Sequence, residues 1–469
     1  MLLPPNKTKI VCTIGPASDK PETLDAMLRA GMNVARLNFS HGDFEAHAQV
    51  IERLRQASER TGLRLAIMAD LPGPKIRIGE LENPVELQIG DQVTLTTEDI
   101  VGTACRFPVN FPTLPKVVQA DDKLFLNDGL ISLKVLDCSG NDVFCEVRAG
   151  GELLSRKGVD LPGIDLGISA FTPRDRECLE FALQHGVDAV SQSFVSNAAD
   201  VVMVRQAALQ MGFKPFIIAK IERARALDNI EEILQAADGA MVARGDLGVE
   251  IPISKMAIVQ KQIMQSANRI GKPVITATQM LESMTVHKRP TRAEATDVAN
   301  SILDGTDAVM LSAESAMGRY PVEAVEMLAS IAADTEPNRP YRLQASRRQD
   351  NMSLFDFIAN SVYQAAVGLD PLAVVVPSRS GNMARNIARM RLKQWVTVFS
   401  TELSTCQALQ FSYGVHPVLV ENDLSDWTSF LRKWMLAQGT REGIAILTQG
   451  PSLANPKGNH RLEVVDLKL

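Results

Sequence analysis

An apolar run that ends in charge, repeated along the chain, limits this protein more than any other feature. Ile217–Leu227 reads IIAKIERARAL and closes by presenting Lys220 and Glu222 two positions apart, the spacing that puts two side chains on one face of a strand. A cation and a carboxylate at the carboxyl end of a buried strand are costly to hold unless a ligand or metal uses them. Val242–Asp246 (VARGD), Val274–Gln279 (VITATQ) and Val309–Glu314 (VMLSAE) repeat the arrangement, each a short apolar run, a polar stop and then a helix-like segment. Any one of these ends reads equally well as a charge swung out to solvent. Four in succession point to one shared site.

Periodicity predicts strands at Lys9–Gly15, Val34–Phe39 and Leu65–Leu71, with helices Glu22–Ala30 and Phe44–Arg60 between them. From Lys75 to about Ala170 the alternation stops, and short β-type runs (KIRIG, VELQI, QVTLTT, LISLKVL, VFCEV) are separated by Gly, Asp and Asn turns, the pattern of a small β domain. From Thr172 it resumes, with strands at Ala189–Val195, Pro215–Glu222, Ala240–Ala243, Pro273–Thr278 and Ala308–Ser312 and a last helix at Val322–Asp334. Eight strands, each followed by a helix, make an α/β fold: a (β/α)8 TIM barrel of residues 1–71 and 171–337, with an inserted β lid domain of residues 72–170 after its third strand. The polar strand ends then share one rim, where such barrels keep their chemistry, and the insertion hangs over it. Residues 338–350 read as a polar linker. Residues 351–469 alternate as a small doubly wound α/β domain: helix Leu354–Gly368, strand Ala373–Pro377, helix Met383–Met390, strand Thr397–Ser400, helix Thr405–Phe411, strand Val415–Leu419, helix Asp426–Ala437 and strand Ile444–Leu447.

A chain of 469 residues suggests two to four domains, and its 45% hydrophobic and 22% charged residues describe a soluble globular protein. A net charge of −6 leaves no basic excess to hold nucleic acid. MLLPPNKTK lacks the apolar core and cleavage-type site of a leader, and no run approaches the roughly twenty apolar residues of a membrane span. A cytoplasmic protein with no membrane partner is expected. The six cysteines form no C-x-x-C pair and read as reduced, packed thiols, and of the six histidines, which show no metal-ligand spacing, only His41 lies in a segment with functional character.

Glu222 and Asp246 are the metal candidates, because two carboxylates with positions left open for substrate oxygens suit Mg²⁺ or Mn²⁺. The competing reading makes them rim ion pairs with Lys220 and Arg244. In ARGDLG, the backbone N–H groups of Gly245 and Asp246 follow a strand and face an anion at a helix start. Lys220 beside the carboxylates suits charge spread over a transferring phosphoryl group. Arg36, Asn38 and Ser40 alternate along ARLNFSHG with Asp70 at the end of the third strand, and Arg36 suits a phosphate, although LNFSHG is also readable as a hydrogen-bonded turn.

ARLNFSHG, GPKIR, RKGVDLPG, AKIE, VARGDLGVEIP, TATQMLESM, PTRAEATDVAN and AVMLSAESAMGRYPVEAV, in that order, closely resemble the motifs of the pyruvate kinase family, and the likeness continues more weakly into the C-terminal domain. The resemblance implies phosphoryl transfer from phosphoenolpyruvate to ADP, giving pyruvate and ATP. It implies that Arg36 binds the phosphoryl group, Lys220 stabilises it in transit, and Glu222 and Asp246 hold Mg²⁺ (or Mn²⁺). Gly245 and Asp246 amides with Thr278 would hold the substrate carboxylate, while Asn38, Arg77 and Lys157 match nucleotide-binding positions and Glu314 matches a rim acid of the active site. The proton donor to enolpyruvate is not assignable from sequence, and Thr278 with ordered water is the suggestion. The resemblance also implies a homotetramer and a phosphorylated allosteric effector.

Two departures matter. Where potassium-dependent members read D-T-K-G-P-E-I-R, this chain has Asp70-Leu71-Pro72-Gly73-Pro74-Lys75-Ile76-Arg77. A fixed Lys75 ammonium then supplies the charge otherwise brought by K⁺, which is expected not to be required. Asn38, Ser40, Asp70 and Leu71 remain as a partly relict monovalent-cation pocket. The second departure lies in the effector loop Ser378-Arg379-Ser380-Gly381-Asn382-Met383-Ala384, which lacks the usual threonine after the glycine but retains backbone amides able to bind phosphate. Around Ala454–His460 (ANPKGNH) the departure is larger, and the family's fructose bisphosphate activator is not carried over. Rival readings are a Mg²⁺-dependent pyruvate-forming aldolase or lyase, which needs no nucleotide, and a non-catalytic metabolite sensor, which would have lost Lys220 or a metal carboxylate.

Overall fold

The structure is a computed structural model, and it describes residues 3–339, 353–422, 424, 426–450 and 459–468. Eight parallel strands close into a barrel: β1 (Lys9–Thr13), β2 (Val34–Asn38), β3 (Ala66–Asp70), β4 (Ala189–Gln192), β5 (Phe216–Ile221), β6 (Gly239–Ala243), β7 (Val274–Ala277) and β8 (Ala308–Leu311). The strands are buried on both faces, which is why they read as continuous apolar runs rather than alternating ones. The expected β/α barrel is therefore the observed one. Several strands stop one to three residues early, at the point where the chain leaves the ladder to present its polar groups: Gln192 rather than Val195, Ile221 rather than Glu222 and Ala277 rather than Thr278.

Local chemistry fixes the barrel helices. The helix Phe44–Thr61 is capped by the Asp43 side chain, which accepts from Ala46 N, and stops at Gly62 with φ +68°. Reciprocal capping boxes start three others, with Thr172 and Asp175, Asn197 and Asp200, and Thr291 and Glu294.

Between β3 and β4 the chain forms a six-stranded sheet with its own apolar core, which includes Phe107, Leu124, Leu133 and Val143. The unit is tied to the rim where it leaves and rejoins the barrel. Gly73 N donates to Asp175 Oδ1 at 2.8 Å, and Arg223 donates to the Ile164 carbonyl at 2.8 Å.

The C-terminal unit is a five-stranded sheet in which parallel strands β9 (Ala373–Pro377), β10 (Val396–Ser400), β11 (Val415–Leu419) and β12 (Ile444–Gln449) are joined by β13 (Arg461–Asp466), antiparallel to β12. The sequence reading lacks β13, an edge strand in which Val465 alone is buried and the apolar pattern is slight. The helix expected at Thr405–Phe411 divides into an α-helix Leu403–Ala408 and a 3₁₀ turn Leu409–Phe411. That turn sets Phe411 against Phe216 at the foot of the barrel, ring centroids 5.3 Å apart. Most of the expected linker, and residues 454–458 of the second effector segment, lie outside the described residues. Among the described residues no helix is long and apolar enough to cross a membrane.

Candidate active site at the barrel rim

β2, β3 and the carboxyl end of β5 bring four charged side chains into one buried ring. Arg36, Asp70, Lys220 and Glu222 are 9, 2, 8 and 4% exposed. Arg36 binds Asp70 through Nε at 3.1 Å and Nη2 at 2.5 Å, and it donates to Thr13 Oγ1 at 2.9 Å. Lys220 Nζ reaches Glu222 at 2.7 Å, Ser193 Oγ at 2.7 Å and Asp70 at 3.4 Å. Ser191 Oγ donates to the second oxygen of Asp70 at 2.6 Å.

Burial opposes the Asp70 charge, but Lys220, Arg36 and the Ser191 hydroxyl outweigh it and hold the carboxyl well below the usual range. Burial equally opposes the Lys220 ammonium, which Asp70, Glu222 and Asp246 together hold charged above its ordinary value. Burial raises the Glu222 pKa, Lys220 counters it and Asp246 adds to it. Glu222 also accepts from Phe194 N at 2.7 Å. The ring is thus a buried cluster of charged groups whose members share partners.

Asp246 lies beyond this ring, exposed and with no hydrogen-bond or ion-pair partner among the described residues, yet near enough to act on both Glu222 and Lys220. Arg244 pairs instead with Asp297 at 2.7 Å, so the rim ion-pair alternative holds for Lys220 with Glu222 and fails for Asp246. Among the described residues no three His, Cys, Asp or Glu side chains converge as a metal cage. Two hard carboxylates, one of them unpartnered, suit an ion that keeps water and takes substrate oxygens. The residues fit Mg²⁺ or Mn²⁺.

Thr278 follows β7 with φ +66° and Gln279 has φ +53°, a left-handed conformation strained for a β-branched residue and found at sites that over-determine it. Thr278 Oγ1 accepts from Gly245 N at 2.8 Å and donates to the Ala277 carbonyl at 2.6 Å. The Gly245 amide expected to face an anion is therefore occupied in this structure, whereas no partner is found for the Asp246 amide among the described residues. Glu314 is fully buried, and its two oxygens accept from Leu281 N at 3.0 Å and Ser312 N at 2.7 Å. Both oxygens are thus engaged with backbone, one of them with the loop after β7.

Around the expected monovalent pocket, Asn38 Oδ1 accepts from Ser40 N at 3.1 Å, and Leu71 is fully buried in the barrel core. Lys75 is exposed at its surface, but burial of its ammonium, with Lys220 nearby, lowers its pKa, while Asp70 raises it. Arg77 and Lys157 meet at the lid hinge, where Ile78 N donates to the Lys157 carbonyl at 2.8 Å and Arg77 bridges to Gly158.

In the C-terminal unit, Gly381 has φ +74° and its amide donates to Ser378 Oγ at 2.9 Å, while Asn382 N donates to Ser380 Oγ at 3.4 Å. Arg379 pairs with Glu402 at 3.3 Å; Met383 is half-buried and Ala384 fully buried. Two of the loop's amides are thus taken by its own hydroxyls, and the Ser378 amide donates to the Phe399 carbonyl at 2.9 Å.

Ser191, Ser193 and Phe194 escaped the sequence reading, although Ser191-Gln192-Ser193 is one more polar strand end of the same kind. Asp160, in the lid motif RKGVDLPG, was also missed. Burial, then Asp246, Asp128 and Glu250, push its carboxyl up to about 7 against Arg223, so one of the metal candidates acts on the lid's own carboxylate.

A family model described as pyruvate kinase, barrel domain, matches residues 5–325, and one described as pyruvate kinase, alpha/beta domain, matches residues 356–463. The chain is similar to the pyruvate kinase of Thermococcus litoralis, 46% identical over 100% of both chains. It is also similar to that of Geobacillus stearothermophilus, 44% identical over 87% of this chain and 71% of the relative, and to that of Bacillus licheniformis, 42% identical over 89% and 73%.

Proposed function

This chain belongs to the pyruvate kinase family, and from that membership we propose that its rim transfers the phosphoryl group of phosphoenolpyruvate to ADP. The observation that carries the reading is the Lys220 ammonium, buried and held charged at the meeting point of Asp70, Ser193 and Glu222. A fixed positive charge there costs no reorganisation when negative charge spreads over the phosphoryl oxygens in transit.

In the reaction the bond from phosphorus to the enol oxygen breaks as a β-phosphate oxygen of ADP bonds to phosphorus. The electron pair stays on the enol oxygen, and a proton added at the methylene carbon completes pyruvate. Arg36, clamped by Asp70 and Thr13, binds the phosphoryl group, and Lys220 follows it across. Glu222 and Asp246 hold the divalent ion, which when bound neutralises charge on the substrate oxygens. The substrate carboxylate takes the amides of Gly245 and Asp246, displacing the internal bond from Gly245 to Thr278, so Thr278 Oγ1 becomes free to turn toward substrate or water. Arg77 and Lys157 at the lid hinge, with Asn38 below, hold the nucleotide. Glu314 acts as a positioning residue.

The coupled assay with phosphoenolpyruvate and ADP, run with and without Mg²⁺, tests this directly. Pyruvate and ATP should appear in equal amounts and only with the divalent ion. Pyruvate formed without nucleotide would favour the aldolase or lyase reading, and no turnover at all the sensor reading. Neither gains support from the family match.

Lys75 makes the site independent of K⁺, because its ammonium stands near Asp70 and Glu222 and Leu71 offers no hydroxyl. Activity in a tetramethylammonium buffer should equal that with K⁺, and Lys75→Glu with Leu71→Thr should create a K⁺ requirement. Strong stimulation of the unaltered protein by K⁺ at constant ionic strength would count against this. The six unpaired cysteines suit a reducing cytoplasm. The assembly is a homotetramer, a mass that light scattering reads, with a phosphorylated effector at Ser378–Ala384.

A further inference from the structure

At the foot of the barrel, against the C-terminal domain, lies a cavity of about 680 Å³ whose lining shares no residue with the rim or with the Ser378–Ala384 loop. Its volume suits a metabolite-sized ligand. Six basic and two acidic residues line it, and both carboxylates are already committed. Asp304 pairs with Lys261, and Glu336 accepts from the backbone N–H groups of Lys7 at 2.9 Å and Thr8 at 2.7 Å.

Several of the cations are matched too. Arg391 forks onto Asp307 with two bonds of 3.0 Å, Arg389 pairs with Asp356, and Lys393 pairs with Asp370 at 2.9 Å. The Lys7 ammonium has no partner among the described residues. Arg339 donates to the Ile302 carbonyl, but its other terminal nitrogen, and Nε of Arg391, are buried without partners. The guanidiniums of Arg339 and Arg391 lie 5.4 and 4.7 Å from the centre of the same Tyr413 ring.

Buried donors without acceptors are rare, and like charges gathered around one ring repel unless an anion lies between them. Burial, reinforced by Arg391 and only partly offset by Tyr413, Asp307 and Glu336, brings the Arg339 pKa down to about 10, and burial lowers Lys7 against the opposing pull of Glu336, the direction expected of cations whose counter-charge falls short of their burial.

We propose that this cavity binds a small phosphorylated metabolite, its phosphate held between Lys7 and Arg339. Two cations with donors left unpartnered, one a planar fork and one a point charge, match a phosphate dianion. Gln265 and Asn300 on the lining, with no partner among the described residues, supply amides for sugar hydroxyls. The site is independent of the proposed catalysis at the rim.

Calorimetric titration of the full chain with AMP, glucose 6-phosphate and inorganic phosphate tests the proposal without reference to turnover. At least one of the two organic phosphates should bind saturably and more tightly than inorganic phosphate. Its Kd should rise about tenfold or more, a loss of one charge-assisted contact, in Arg339→Gln and in Lys7→Gln. It should stay unchanged in Ser380→Ala and recover in Lys7→Arg. Lys7 is half-exposed with an unpartnered head, so the Lys7 pair decides the matter even if Arg339→Gln does not fold. Absence of binding by both organic phosphates, equal affinity for inorganic phosphate, or loss of binding in Ser380→Ala with none in Lys7→Gln would each overturn it.

Discussion

The two ends of this barrel solve opposite problems with the same kinds of residue. At the rim, Arg36, Asp70, Lys220 and Glu222 end on one another, each sharing partners. At the foot, the most deeply buried cation, Lys9, ends instead on backbone and on a ring supplied by another domain. Lys9 is 4% exposed, donates to the Val415 carbonyl at 2.8 Å and lies 5.1 Å from the Trp395 ring centre. Phe411 joins Val11, Met68, Phe216 and Met310 in a single apolar cluster that plugs the barrel. A group that shares its partners can exchange them for a ligand's oxygens at little cost. A group fixed to a carbonyl cannot be moved without dismantling the contact between domains. Changes at the rim should therefore act on turnover, and changes at the foot on stability.

The sharpest test pairs one residue from each end. Lys220→Met should lower kcat on the order of 10³-fold or more while far-ultraviolet circular dichroism stays unchanged, because Arg36 and Ser191 still serve Asp70. Unfolding of this variant would break the contrast. Phe411→Ala should cost about 3–5 kcal/mol of stability, read by denaturant titration, with kcat little altered. A large fall in kcat at full folding would show that the plug serves the chemistry.

Next in size, Glu222→Gln and Asp246→Asn should each raise the Mg²⁺ concentration for half-maximal activity by roughly 10–100-fold. An unchanged requirement in both would remove the metal assignment.

The last effect is one of pH at the foot. Burial, partly offset by Glu336, brings Lys9 down to about 7, against roughly 10.4 in an unfolded chain. The folded state holds this proton less tightly, so the ammonium costs stability in full below about pH 7, and the cost fades as pH rises toward 10. The denaturation midpoint should climb across that window in the unaltered protein and stay flatter in Lys9→Met. Parallel profiles would leave Lys9 out of it.

Much of the rim was legible because chemistry there breaks a rule visible in one dimension. A charge at the end of an apolar run is conspicuous, and Lys220, Glu222 and Asp70 stand out that way, while Arg36 stands out by alternating with Asn38 and Ser40. What the sequence concealed depends on backbone conformation or on distant partners. Nothing in VITATQ announces that Thr278 is left-handed or that its hydroxyl occupies Gly245. Glu314 looks like a rim acid, but its oxygens are taken by backbone from Leu281 and Ser312. The foot was the least legible region. Phe411 sits in an ordinary apolar stretch, and only the 3₁₀ turn that ends its helix aims it at Phe216.

The seam of the barrel also governs how the molecule can be made. Thr13 Oγ1 donates to the Leu311 carbonyl, 298 residues further on, and β1 finds one of its two neighbours only in β8. At roughly 5–20 residues per second of synthesis, one edge of β1 waits about 15–60 s for its partner. The inserted β unit, complete in its own core, is finished on the ribosome long before. The order of birth is thus lid first and barrel last, with the earliest strand exposed the longest. A chaperone that shields residues 9–13 during that interval would raise the yield of native protein without touching its final stability.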